Sequence, residues 1–156
     1  VPDDETFLRR AIELSRIHQA AGGGPFGAVV VRDGAIVGEG WNRVTATLDP
    51  TAHAEVVAIR AAAQRLQTFT LAGSVIYSSC EPCPMCLGAI HWARIEGLCF
   101  GNGREDAASI GFDDALLYRE VGLALEDRRI PTRQMLREEA YVAFAEWDAR
   151  EDKVPY

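Results

Sequence analysis

Apolar residues recur at helical spacing near the start of the chain. Phe7, Leu8, Ala11, Ile12, Leu14 and Ile17 predict a helix over DDETFLRRAIELSRIHQA, with Asp3 or Asp4 as its cap. AGGGPFG stops it. The pattern then changes to β-rich runs, and GAVVVRDGAIVGEGWN predicts a hairpin that turns at Asp33-Gly34. RVTATLDPTA reads as a loop, HAEVVAIRAAAQRLQ as a second helix, and SVIYSS as a short strand followed by the turn CEP. CPMCLGAIHWARI predicts a third helix, with Pro84 early, where a missing N–H costs nothing. EGLCFG reads as a strand, NGREDAASIGFDD as a loop or broken helix, DALLYREVGLA as helical and IPTR as a connector. The last helix, MLREEAYVAFAEWDARE, carries an apolar stripe of Leu136, Ala140, Ala143, Phe144 and Trp147.

The order α-β-β-α-β-α-β-α predicts an α/β fold, a three-layer α/β/α sandwich. The hairpin makes its sheet mixed in direction. No repeat, low-complexity tract or linker divides the chain, so residues 1–156 are expected to form a single domain. The Gly22-Gly23-Gly24 run precedes a strand and lacks a following Lys-Ser or Lys-Thr, which argues against a phosphate loop.

Composition narrows the function. The chain is 48% hydrophobic and 25% charged, the profile of a globular protein with a sizeable core. Its formal net charge is −7, and Lys153 is the only lysine. That balance disfavours a nucleic-acid partner and favours a small, weakly charged substrate. No apolar run reaches membrane-span length, and VPDDETF has neither the basic nor the apolar region of a signal peptide. Together with four cysteines, these features predict a reducing, cytoplasmic setting in which thiols serve metals or catalysis.

The candidate chemistry lies in two short segments. His53 and Glu55 stand two positions apart at the start of the second helix, so they do not share a face. Cys83 and Cys86 have C-x-x-C spacing at the start of the third, where the helix N-terminus favours thiolates. One imidazole and two thiolates suit Zn²⁺, and three protein ligands are the catalytic number rather than the structural one. His53 would hold the metal while Glu55 points to its open side and takes a proton from water. Other readings exist for the pieces. A C-x-x-C alone serves redox pairs, and zinc alone can merely staple a fold. Neither gives Glu55 a role. Cys80 reads as a packed thiol near the site rather than a fourth ligand, Cys99 as a buried strand residue, and His18 and His91 as structural or exposed. Read by themselves, Phe26 and Trp92 are core aromatics, Asn42 is a turn residue, and Asp113 or Asp114 is a helix cap.

H-x-E followed by P-C-x-x-C is the signature of zinc nucleobase deaminases. The chain resembles the cytidine-deaminase-like superfamily, and within it the bacterial guanine deaminases. The likeness rests on GGPFGAVVV, the Asn42 loop, DPTAHAEVVAIR, SCEPCPMCLGAIHWAR, GFDD and the terminal Tyr156. It implies zinc-dependent hydrolysis of guanine to xanthine and ammonia. A pocket that admits a ribose would take guanosine instead, and cytosine deamination is the other alternative within the superfamily.

The resemblance also implies roles. His53, Cys83 and Cys86 would hold zinc, Glu55 would shuttle protons, and Asp114 would contact the amino group as a second proton carrier. Phe26 would stack on the purine and Asn42 would hydrogen-bond it, with His53, Ala54, Trp92 and Tyr156 completing the contacts. It further implies a homodimer that exchanges C-terminal segments, with Tyr156 closing the neighbour's site.

Overall fold

In a computed structural model of the chain, residues 3–156 are described. They form two compact units, one ending at Asp114 and the other comprising Ala115–Tyr156.

The first unit opens with helix α1, Asp4–Ala20, whose cap is Asp3: its carboxylate accepts from the Thr6 N–H at 3.0 Å. Strands β1 (Gly27–Arg32) and β2 (Ala35–Trp41) form the expected hairpin. Asp33 and Gly34 both take positive φ, 52° and 75°, the conformation that matches a two-residue turn to the twist of its strands. The segment read as a loop contains a single helical turn, α2 (Val44–Thr47). Then follow α3 (Ala54–Leu66), β3 (Ser74–Cys80), α4 (Pro84–Trp92), β4 (Gly97–Asn102) and α5 (Arg104–Ser109). Helix α4 stops short of the predicted Ile95 because Arg94 turns left-handed, with φ 62°.

The sheet order is β2-β1-β3-β4. β1 runs antiparallel to both β2 and β3, and β3 runs parallel to β4, so the sheet is mixed as predicted. Side chains alternate between its faces. Val29, Val31 and Tyr77 pack with Phe7 and Leu14 of α1. Ala28, Val30 and Ile76 pack with Ala54, Ala58 and Ala62 of α3 and Ile90 of α4. These are the three layers of the sandwich. The buried stripe of α1 is narrower than its sequence pattern: Phe7, Ala11, Leu14 and Ser15 are buried, whereas Ile12 and Ile17 are exposed. An outer helix touches its sheet along one line, and these two residues fall beside that line.

The second unit holds α6 (Ala115–Glu120), a 3₁₀ turn at Leu125–Asp127 and α7 (Arg137–Asp148). The helix α7 was expected, but its apolar stripe finds no cover within the single chain: Phe144 is 71% exposed and Trp147 45%. No residue of this unit is buried. Among the described residues, no helix is long and apolar enough to cross a membrane.

Candidate active site

Two helix starts build the centre. His53 is the N-cap of α3 and Cys83 the N-cap of α4. Both take extended backbone, and neither side chain caps its own helix. The two side chains are therefore free to meet. Pro84, at the first position of α4, fixes the chain just after Cys83. Cys86 lies one turn in and is fully buried. His53 Nδ1 stands 3.6 Å from Cys83 Sγ and 3.4 Å from Cys86 Sγ. All three ligand atoms fall within 4.8 Å of one another. A tetrahedral zinc with bonds of about 2.3 Å to sulfur and about 2.0 Å to nitrogen requires N···S separations of about 3.5 Å. The trio fits that ion.

The electrostatics agree. A hydrogen bond from the Cys86 thiol, aided by the His53 ring, holds the Cys83 pKa down at about 4. The same contact, with burial, pushes Cys86 up. The Cys83 sulfur in turn raises His53. One sulfur is thus an anion before any metal arrives, and a cation would release the proton from the second. Cys80 lies outside the trio. Its thiol is buried, 3.9 Å from the Gly103 carbonyl, and burial raises its pKa to about 11, in keeping with a packed thiol.

Glu55, at the second position of α3, is 5% exposed. Its charge is felt at both Cys80 and Cys86, which places the carboxylate beside the metal trio. Its Oε1 accepts a hydrogen bond of 2.7 Å from the hydroxyl of Ser78 on β3. Sequence reasoning missed Ser78. Its signal was present: along β3, Ser74, Ile76, Ser78 and Cys80 face the same layer as α3 and α4, and a hydroxyl buried there needs a partner.

Phe26 and Asn42 sit together. The Asn42 N–H donates to the Phe26 carbonyl at 3.1 Å, and Asn42 Oδ1 accepts from the Val44 N–H at 3.1 Å. This is a side-chain turn, as the local reading of Asn42 expected, and it commits the oxygen and leaves the amide nitrogen for another acceptor. A Cβ on Gly24 would lie 3.1 Å from Asn42 Cγ, so the glycine run makes room for this side chain. The Arg43 N–H donates to the Ala52 carbonyl at 2.9 Å, tying the Asn42 turn to the approach of His53. Phe26 meets Phe112 of the GFDD segment edge to face, with ring centres 4.9 Å apart. Asp114 is largely buried, 3.7 Å from Arg104 Nε, and its charge reaches Cys80. Ala54 is fully buried as the first residue of α3. Trp92 is 64% exposed at the last position of α4. It lies six residues, or roughly 9 Å along the axis, beyond Cys86. Tyr156 ends the second unit 74% exposed.

Fold and centre together define a class, and the comparisons name it. The cytidine and deoxycytidylate deaminase zinc-binding region matches residues 1–102, and the chain belongs to that family. The chain is similar to the guanine deaminase of Bacillus subtilis strain 168: 49% identical over 153 residues, covering 97% of this chain and 98% of that one. The X-ray structure of guanine deaminase from Bacillus subtilis superposes with a TM-score of 0.96 at 48% identity, covering 99% of each chain. A guanine deaminase from Nitrosomonas europaea matches at a TM-score of 0.70 and 33% identity, covering 74% of this chain and 67% of that one. The tRNA-specific adenosine deaminase of Haemophilus influenzae is 44% identical over 117 residues, 71% of this chain and 68% of its own.

Proposed function

We propose that this protein is a guanine deaminase: it hydrolyses guanine to xanthine and ammonia in the cytoplasm. One observation carries the reading. The likeness to the Bacillus subtilis guanine deaminase covers 99% of the chain and so takes in the C-terminal unit, whereas the likeness to the tRNA-specific enzyme covers 71%. The net charge of −7 also suits a small base better than a polynucleotide.

When bound by His53, Cys83 and Cys86, zinc supplies the Lewis acidity that makes water a nucleophile near neutral pH. Glu55 takes a proton from the attacking water and delivers it to the ring nitrogen beside the attacked carbon. It then carries the second proton to the departing amine, so that ammonia leaves neutral and Glu55 is regenerated. The Asn42 amide donates to an acceptor on the purine edge. Phe26, braced by Phe112, stacks on the ring. Asp114 accepts from the amino group, and His53 and Ala54 form the floor. Both compact units serve this one catalytic domain. The protein works as a homodimer that exchanges C-terminal segments. Trp92 and Tyr156, both exposed in the single chain, meet the base only in that assembly.

The test is ammonia release from guanine, guanosine, cytosine, cytidine and adenine, each offered alone to the zinc-loaded protein. Guanine should be turned over fastest by kcat/KM. A pocket that hydrogen-bonds one base leaves its polar groups unpaired with another, which rejects the pyrimidines by about 10⁴-fold. Faster release from guanosine or cytosine overturns the reading.

A further inference from the structure

Proton transfer through a carboxylate requires that the carboxylate be held still. The terminal torsion of a glutamate is broad and roughly two-fold, so packing alone does not choose which oxygen faces the reaction. In this protein a second residue chooses. Ser78 is fully buried in β3, with backbone partners on both sides: Ala28 of β1 and Phe100 of β4. It is therefore among the most firmly placed residues of the sheet. Its hydroxyl donates to Glu55 Oε1 at 2.7 Å, a bond buried at both ends. A hydrogen bond to an ionised acceptor is among the stronger kinds, and this one is shielded from water.

We propose that Ser78 is a positioning residue for Glu55: its hydroxyl anchors Oε1, fixes the plane of the carboxylate and leaves Oε2 to carry the proton. Ser78 itself touches neither metal nor substrate in this role. An oxygen that already accepts a short hydrogen bond is the poorer base of the pair, so the two oxygens are made unequal before the substrate enters. The sheet thus sets the direction of proton traffic from the face opposite the reacting base. This inference rests on the proposed deaminase reaction only for its kinetic arm.

The test compares Ser78→Ala, Ser78→Thr, Glu55→Gln and the double variant Glu55→Gln with Ser78→Ala, all zinc-loaded, in guanine turnover and in crystal structures. Misplacement of a reacting group by about 1 Å can cost 100-fold, so Ser78→Ala should lose about 10- to 100-fold in kcat. Its KM should stay within about twofold, because the substrate contacts are untouched. Its zinc content should equal that of the wild type. Ser78→Thr keeps the hydroxyl and should return kcat to within about threefold. In the Glu55→Gln background the Ser78 change should alter the residual rate by less than about twofold, since residues that act as one unit are not additive. In the crystal structure of Ser78→Ala, the Glu55 carboxylate should be rotated or split between two orientations. A kcat within about twofold of wild type overturns the proposal. So does a loss that persists in full without Glu55, or a Glu55 that stays ordered as in the parent. If the wild type releases no ammonia from guanine, the functional reading fails by itself, and the orientation of Glu55 in Ser78→Ala still decides the role of Ser78.

Discussion

Gly40 of β2 lies directly beneath Ala54 of α3: a Cβ built on Gly40 would fall 2.3 Å from the Ala54 carbonyl oxygen and 2.4 Å from the Ala58 nitrogen. Gly38 meets the next turn in the same way, 2.5 Å from the Ala58 carbonyl oxygen. These neighbours are backbone atoms, so a side chain here must move the helix. The first turn of α3 carries Glu55 and follows directly from His53, so the seat of this helix sets the metal centre. Gly40→Ala should cost about 1–3 kcal/mol through overpacking. It should also weaken zinc binding at least about tenfold, by shifting His53 against Cys83 and Cys86. Zinc titration against a competing chelator, with thermal melting alongside, measures both. A Gly40→Ala protein that binds zinc as tightly as wild type shows that α3 is not seated on this contact.

The sequence was legible where the chemistry is local. His53 with Glu55, and Cys83 with Cys86, each lie within one helical turn, so spacing alone conveyed their geometry. Asp33-Gly34 announced its turn because two adjacent residues determine it. Contacts between distant segments were not legible. Gly38 and Gly40 look like ordinary strand glycines until α3, some fourteen residues on, is laid against them. Ser78 acquires its meaning only when β3 is placed beneath Glu55. The glycine run at 22–24 was dismissed as a linker and as a phosphate loop, and its use, room for the Asn42 side chain, is likewise a matter of packing. Ile12 and Ile17 show the converse: periodicity marked them as core, but an outer helix buries a single line.

Cys83→Ala should lose zinc. Removing one of three protein ligands leaves His53 and Cys86, which do not hold the ion tightly enough to survive purification. Metal analysis should find about one zinc per chain in the wild type and far less in the variant. In protein stripped by chelator, iodoacetamide should modify Cys83 first, since its pKa near 4 makes it a thiolate at neutral pH, whereas Cys80, near 11 and buried, stays a thiol. Full zinc retention by Cys83→Ala would remove Cys83 from the ligand set.

Glu55→Gln should keep zinc and fold while losing most of the turnover. The amide preserves shape and still accepts from Ser78, but it cannot carry a proton. General acid–base catalysis of this kind is worth about 10²–10⁴-fold, and the loss should appear in kcat. A variant within about tenfold of wild type would show that another group moves the protons.

The phenol of Tyr77 donates to Asp4 Oδ1 at 2.7 Å and ties the central strand to the start of α1. Burial, and then the Asp4 carboxylate, raise the Tyr77 pKa above its ordinary value of 10.0. The unfolded chain therefore gives up this proton more readily than the folded one. The contribution of Tyr77 should be fully present below about pH 10 and should decline above it, as the unfolded state gains the phenolate. Tyr77→Phe should cost about 1 kcal/mol at pH 7. In urea unfolding, its deficit against wild type should shrink as pH rises past 10. A deficit that stays constant over that range shows that the phenol is not responsible.

The end of the chain needs a partner to be understood. In the second unit Leu136, Tyr141, Phe144, Trp147 and Tyr156 are all exposed. An apolar surface of this kind is normally covered, and the exchanged dimer covers it with a second copy. Within that assembly Tyr156 closes the neighbour's site, excluding water and orienting the base. Deleting Val154, Pro155 and Tyr156 should lower kcat/KM about 100-fold while zinc content and melting temperature stay near wild type. A tag fused after Tyr156 should harm activity more than one fused at the other end. The decisive measurement is complementation. Glu55→Gln subunits keep the tail but lack the proton carrier; truncated subunits keep Glu55 but lack the tail. In a mixed dimer the intact tail of the first reaches the intact Glu55 of the second. Random re-pairing of equal amounts should therefore restore about a quarter of wild-type activity, although neither protein is active alone. If the mixture stays as inactive as its parts, Tyr156 does not act across the dimer. If the truncated protein alone matches the full chain on guanine, Tyr156 has no part in closing the site.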